Sequence, residues 1–205
     1  MSLLTSRLPE YIEMEGMKFK INTNFTFSIR FEELILNNDI NTKEIQDQAI
    51  SIYFNQPIIE RLKPLALQNI AWFYSCGREE QDQVSNSKNR NSNKIIYSFK
   101  YDDEYIYSAF LDQYGIDLQD ISHLHWWKFK AMFKSLKSDN KIVDIMGYRS
   151  MDLNSIKDKE QKSFYKKMQD IYKLPEIINK DELEKQKAIE DALLNGGDIS
   201  SILSK

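Results

Sequence analysis

YIEMEGMKFKINTNFTFSIRFEELIL, residues 11–36, changes its hydrophobic period once, and that change decides the fold. Met17, Phe19 and Ile21 alternate with Lys18 and Lys20, the period of two that marks a half-buried strand. Glu15-Gly16 can supply a tight turn just before it, because glycine tolerates positive φ. A hairpin over 11–21 is expected. Two strands alone are marginal in water, so this hairpin has to lie against something larger. From Asn24, a capping residue type, the period becomes helical: Phe27, Phe31, Leu34 and Ile35 share a stripe that ends near Asn37-Asn38.

The helical rhythm continues outward from there. Asn41 followed by Glu44 reads as a capping box, with Ile45, Ala49, Ile52 and Tyr53 on one face. Pro64 suits a first helical turn, Leu67, Ile70, Ala71 and Tyr74 form a buried stripe, and Gly77 is the stop. REEQDQVSNSKNRNSNK (78–94) holds one apolar side chain, Val84, and predicts a mobile loop. After Asp102-Asp103, Ile106, Phe110 and Tyr114 share a face that closes at Gly115. A further helix is predicted from Asp120 to about Leu136, and a short one after Ser138-Asp139 through Ile142, Ile145 and Met146. Ser155 can cap another, with Asp158 at its third position and Phe164, Met168, Ile171 and Tyr172 turned inward, until Leu174-Pro175 ends it. The reading is a mainly α protein: a multi-helix bundle with a small N-terminal β-hairpin packed against it, one domain over 1–175. Residues 176–205 read as a peripheral segment, a weakly amphipathic helix at 181–194 and then a frayed tail.

Composition narrows the function classes. In 205 residues, 28 Lys and Arg stand against 31 Asp and Glu, so the general basic footprint of a nucleic-acid binder is absent. One cysteine, Cys76, excludes an internal disulfide framework. No apolar run approaches the roughly 18 residues of a membrane span, and the N-terminus lacks a signal-peptide plan, so a soluble cytoplasmic protein is expected. Six glycines and four prolines are too few for a turn-rich sandwich or barrel. Eleven Phe, eleven Tyr and three Trp are enough to fill a helical core and leave some for an interface.

Side chains that could carry chemistry are few. At i, i+2 on a helix, His123 and His125 point about 200° apart and cannot share an ion, so packing or capping is the reading for them. Cys76, beside Gly77 at a helix end, reads as a small buried side chain. Asp102, Asp103, Glu104, Asp112, Asp117 and Asp120 lack the spacing of a Ca²⁺ loop, and the first three suit a helix N-terminus. There is no Walker loop, dinucleotide-binding glycine motif or nucleophile elbow. No enzyme and no cofactor is expected. Lys128, Lys130, Lys134, Lys137 and Lys141 interleave with aromatics, but helical spacing makes them the solvated face of a core helix instead of a nucleic-acid groove. Adjacent Trp126 and Trp127 cannot point the same way, so at most one is expected to be fully central; core packing for both is the first reading and one of them anchoring a partner the second. The acidic 102–120 and basic 128–141 stretches either neutralise each other in one copy or pair head to tail between copies.

Several runs together are distinctive: DDEYIYSAFLDQYGIDL (102–118), LHWWKFKAMFKSL (124–136), IMGYRSMDL (145–153) and KDKEQKSFYKKMQDIYKLP (157–175), with LTSRLPEYIEMEGMKFKINTNF (4–25) and AWFYSCG (71–77). The chain thereby resembles, over about 4–175, the phage family named for gene product fifteen, found in the tail modules of siphophages and prophages of Gram-positive bacteria. The resemblance implies a helical, enzymatically inert assembly factor encoded just before the tape-measure gene. It implies a tail assembly chaperone acting in the cytoplasm of the bacterial host, with the tape-measure protein and other tail assembly proteins as partners. Homo-oligomers are compatible with this; nucleic acid and membrane are not expected partners. The alternative is a structural tail or head–tail connector component of the virion. The residues put forward for partner binding are Tyr114, Trp126, Trp127, Tyr148 and Arg149.

Overall fold

The hairpin and helices form as the periodicity requires. In a computed structural model, the described residues are 3–36, 40–77 and 95–175. The expected loop over 78–94, the end of the first helix at Asn37-Asn38, and the helix and tail expected within 176–205 lie outside the described residues. The protein is mainly α with a small antiparallel hairpin. It divides into two units. Among the described residues, unit one comprises those up to 77 together with 123–131, and unit two comprises 95–122 and 132–175.

Unit one opens with β1 (Tyr11–Met14) and β2 (Met17–Lys20), paired Ile12 to Phe19 and Met14 to Met17. Glu15 and Gly16 both take positive φ, 48° and 76°, the consecutive left-handed pair that closes a two-residue hairpin with the right strand twist. β1 supplies the buried side chains, Ile12 and Met14, and packs on α3 (Lys63–Tyr74); Met17 on β2 is exposed. The half-buried strand read from 17–21 is thus the outer one. Between them come α1 (Phe25–Ile35), α2 (Thr42–Tyr53) and a 3-10 turn at Glu60–Leu62. Asn41 caps α2, its Oδ1 accepting the Glu44 N–H at 3.0 Å. Asn24 occupies the cap position of α1 but makes no side-chain cap bond. The buried stripes fall two positions before the reading in two places: Phe25 in place of Phe27 on α1, and Ile50 in place of Ile52 on α2. α3 keeps its predicted stripe and unwinds through Cys76 and Gly77 at φ 61° and 67°. A Cβ on Gly77 would stand 2.9 Å from the Trp127 ring, so both the backbone and the neighbour require glycine there. Cys76 is half-buried, not enclosed.

Unit two contains α4 (Asp103–Tyr114), α6 (Lys141–Ser150) and α7 (Lys159–Ile171), with Ile106, Phe110, Phe133, Ile142 and Ile145 in its core. Gly115 ends α4 in the left-handed conformation, as read. α5 (Trp126–Lys134) gives residues 126–131 to unit one and 132–134 to unit two. It starts six residues later than expected. The cause is non-local: Asn24 and His125 form an antiparallel bridge, Phe25 N–H donates to Leu124 O, and Trp126 N–H donates to Thr23 O. Residues 123–125 are therefore extended. α7 also starts later than read, because Asp158 takes the cap, accepting the Gln161 N–H at 2.7 Å, while Ser155 closes a turn with Asp152. None of the residues of α7 is buried.

Candidate functional site

The two tryptophans lie in the core of unit one. The Trp126 indole N–H donates to Tyr74 O at 2.9 Å and the Trp127 indole N–H to Phe73 O at 2.7 Å. Those carbonyls lie in the last turn of α3, where continuing-helix donors run out, and Phe73 O also accepts the Cys76 N–H at 3.0 Å. Trp126 stacks on Tyr74 at 5.5 Å and on Phe129 at 5.7 Å; Trp127 meets Trp72 edge-on at 5.5 Å. Both are buried, as core packing for both requires, so the expectation that at most one is central is corrected and neither is left open to anchor a partner. Adjacent indoles diverge, but the first turns of α5 have walls on more than one side within this unit.

His123 and His125 precede α5 instead of sharing a helical surface. His125 Nδ1 accepts the Trp127 N–H at 3.1 Å, a cap bond, and its Nε2 lies 3.2 Å from Pro9 O, which fixes the tautomer with the proton on Nε2. Burial pushes the His125 imidazole below its ordinary pKa. His123 Nε2 pairs with Thr23 Oγ1 at 2.9 Å. Glu32, deep in the same unit, accepts the Tyr74 O–H, and its burial raises its carboxyl pKa, against the opposing pull of Lys130. Among the described residues no group of three or more His, Cys, Asp or Glu is placed to hold a metal.

Arg149, put forward as a contact residue, is a clamp inside unit two. Its guanidinium holds Asp102 through both Nη atoms, at 2.6 and 2.9 Å, and donates to Ile96 O and Tyr172 O. Asp102, read as an acid at a helix N-terminus, holds that position before α4; it is buried and also accepts the Ser98 N–H. Tyr114 is half-buried, with its O–H on Met132 O at 2.9 Å. Tyr148 is half-buried against Phe164, Tyr165 and Tyr172. Of the five residues, Trp126 and Trp127 are buried, and Tyr114, Tyr148 and Arg149 keep part of their surface open.

In unit two, open apolar surface lies on α7. Phe164 is 49% and Ile171 56% exposed, where the sequence reading had turned both inward. The stripe itself was legible at i, i+4 and i+7; the error lay in assuming that a stripe has a partner within its own chain. Around it stand Tyr148, Tyr165, Met168 and Tyr172, all half-buried, with the Lys141 ammonium 4.9 Å from the Tyr172 ring. On α4, Leu111 is also exposed, at 44%.

These features define a class first: a helical protein whose aromatic wealth serves packing and an open helix edge, with no described helix long and apolar enough to cross a membrane. Sequence comparison makes the assignment specific. The profile of the bacteriophage Gp15 protein family matches residues 4–174, and the chain belongs to that family. It matches no curated protein and no solved structure.

Proposed function

We propose that this phage protein is a tail assembly chaperone that binds the tape-measure protein in the host cytoplasm before the tail tube polymerises. The observation that carries this reading is α7, a helix with none of its residues buried and with Phe164 and Ile171 open on one edge. Large apolar side chains aligned on an exposed helix suit a helical client with an apolar stripe of its own, which would aggregate if left in water. Membership of the phage family supports a viral client. The chain acts by covering surface, with no chemical step. Tyr148 borders the contact and Arg149 holds together unit two, which presents it, whereas Trp126 and Trp127 serve the core of unit one.

Co-expression with the tape-measure protein tests the reading. The tape measure should become more soluble and should co-purify, and Phe164→Glu with Ile171→Glu should abolish both effects while leaving the melting temperature nearly unchanged. Failure to co-purify with the unaltered chain removes the proposal. Near-stoichiometric amounts of the chain in purified virions would favour a structural tail component instead.

A further inference from the structure

We infer that α7 is a hinged strap: it opens from the rest of unit two as one piece by releasing a clamp between Gln169 and Arg149, and the opening uncovers the remainder of its apolar stripe. Its attachment is lopsided. Lys157 to Phe164 are all exposed, whereas Tyr165, Met168, Gln169 and Tyr172 are half-buried. The N-terminal half of the helix therefore stands clear, and what holds α7 lies in its C-terminal half. There the two helices grip each other reciprocally. Gln169 Nε2 donates to Tyr148 O and Met151 O at the end of α6, both at 2.8 Å, and Arg149 Nε on α6 donates to Tyr172 O at the end of α7 at 2.7 Å. Both grips fall on C-terminal helix ends, where carbonyls lack intrahelical donors and carry partial negative charge, so these N–H groups are what lets the two ends meet.

Little else secures the helix. Tyr148 adds ring contacts to Phe164, Tyr165 and Tyr172, and the Lys141 ammonium caps the Tyr172 ring. No lysine or acid of α7 is in an ion pair among the described residues. Arg149 stays behind when α7 leaves, because Asp102 holds its guanidinium through both Nη atoms, so Gln169 is the half of the clamp that moves. A helix with no buried residue, gripped along half its length, belongs to the low-stability end of a structure. Its 13 residues are marginal as a helix alone in water, so α7 gives up its backbone hydrogen bonds when it separates, and residues 152–158 are the hinge. Phe164, Tyr165, Met168, Ile171 and Tyr172 stand at i, i+1, i+4, i+7 and i+8, one stripe. Closed, α7 exposes Phe164 and Ile171; released, it offers all five to a client on which the helix re-forms. That use of the wider stripe rests on the chaperone reading, whereas the opening rests on the clamp.

Amide hydrogen exchange of the full chain alone tests it. The amides of 163–172 should exchange together, about a hundredfold faster than the best-protected amides of α4 and α6, yet measurably slower than in an unstructured chain. Gln169→Met keeps the length of the side chain and removes both donors, so exchange in α7 should quicken about tenfold while α4, α6 and unit one stay as they were. Gln169→Glu has the same shape but only accepts, and should act alike. Were Gln169 a mere space-filler, both variants would exchange as the unaltered chain does. Exchange of α7 in step with α4 and α6, no protection of α7 at all, Gln169 variants that change nothing, or variants that quicken exchange throughout unit two would each overturn the inference. The tape measure takes no part in this measurement, so its result is separate from the co-purification that decides the chaperone reading.

Discussion

Glu32 is a carboxyl group in the core of unit one, and its surroundings set how stability should follow pH. Burial favours its neutral form, the Tyr74 O–H and the charge of Lys130 favour the ionised form, and burial is the larger effect. The folded carboxyl therefore holds its proton to higher pH than the unfolded one. Its contribution is fully present below the unfolded pKa and is lost as pH rises through the folded value. Glutamine cannot titrate, yet its side-chain oxygen can still accept from Tyr74. Denaturant unfolding of Glu32→Gln and the unaltered chain across pH 4–8 should show the difference moving in favour of glutamine as pH rises. A difference constant over that range would show that this carboxyl titrates normally. His125 responds in the opposite sense: its burial-lowered pKa means that stability is lost as pH falls below the ordinary histidine range. Nothing in the sequence marks Glu32 as buried, because it follows Phe31 and precedes Glu33 on a helix whose outer face is otherwise polar.

At the scale of elements, local signals were readable and long-range ones were not. The Asn41 cap, the Glu15-Gly16 turn and the Gly115 stop each depend on a few neighbouring residues, and each is where the sequence puts it. The start of α5 depends on residues 23–25, about a hundred positions away, and no pattern within 120–136 announces that pairing. The α7 stripe was visible as a stripe, but whether it is covered is a property of the surroundings. Arg149 shows the same limit. A lone arginine between Tyr148 and Ser150 suggests a surface contact, whereas the structure uses it to bind the 96–102 segment, α6 and the end of α7 together within unit two. Removing it would strand Asp102 as a buried, unpaired charge, at a cost of about 3–5 kcal/mol. Arg149→Leu should therefore lower stability by that order in denaturant unfolding, and adding Asp102→Asn should recover part of the loss. A variant with unchanged stability and lost partner binding would return Arg149 to the interface.

For the molecule as a whole, the chain path constrains what can fold alone. Unit one is built largely from the first 77 residues, but its core closes only when the chain comes back at 123–131. That return supplies Trp126, Trp127 and Phe129, all buried, together with the two indole donors on the last carbonyls of α3. Truncating one buried large aromatic typically costs about 3–5 kcal/mol, and three such losses reach the roughly 5–15 kcal/mol that holds a whole domain. A chain ended at Lys88 should therefore lose fixed tertiary structure even though the hairpin and three helices are encoded within it. The expected result is a near-ultraviolet circular dichroism signal close to zero and poorly dispersed amide resonances. A synthetic peptide covering 122–134, added in trans, should restore part of both, because what the fragment lacks is a docked segment and not local propensity. If the 1–88 fragment instead unfolds cooperatively and shows well-dispersed resonances without the peptide, the returning segment is an addition to unit one and not part of its core.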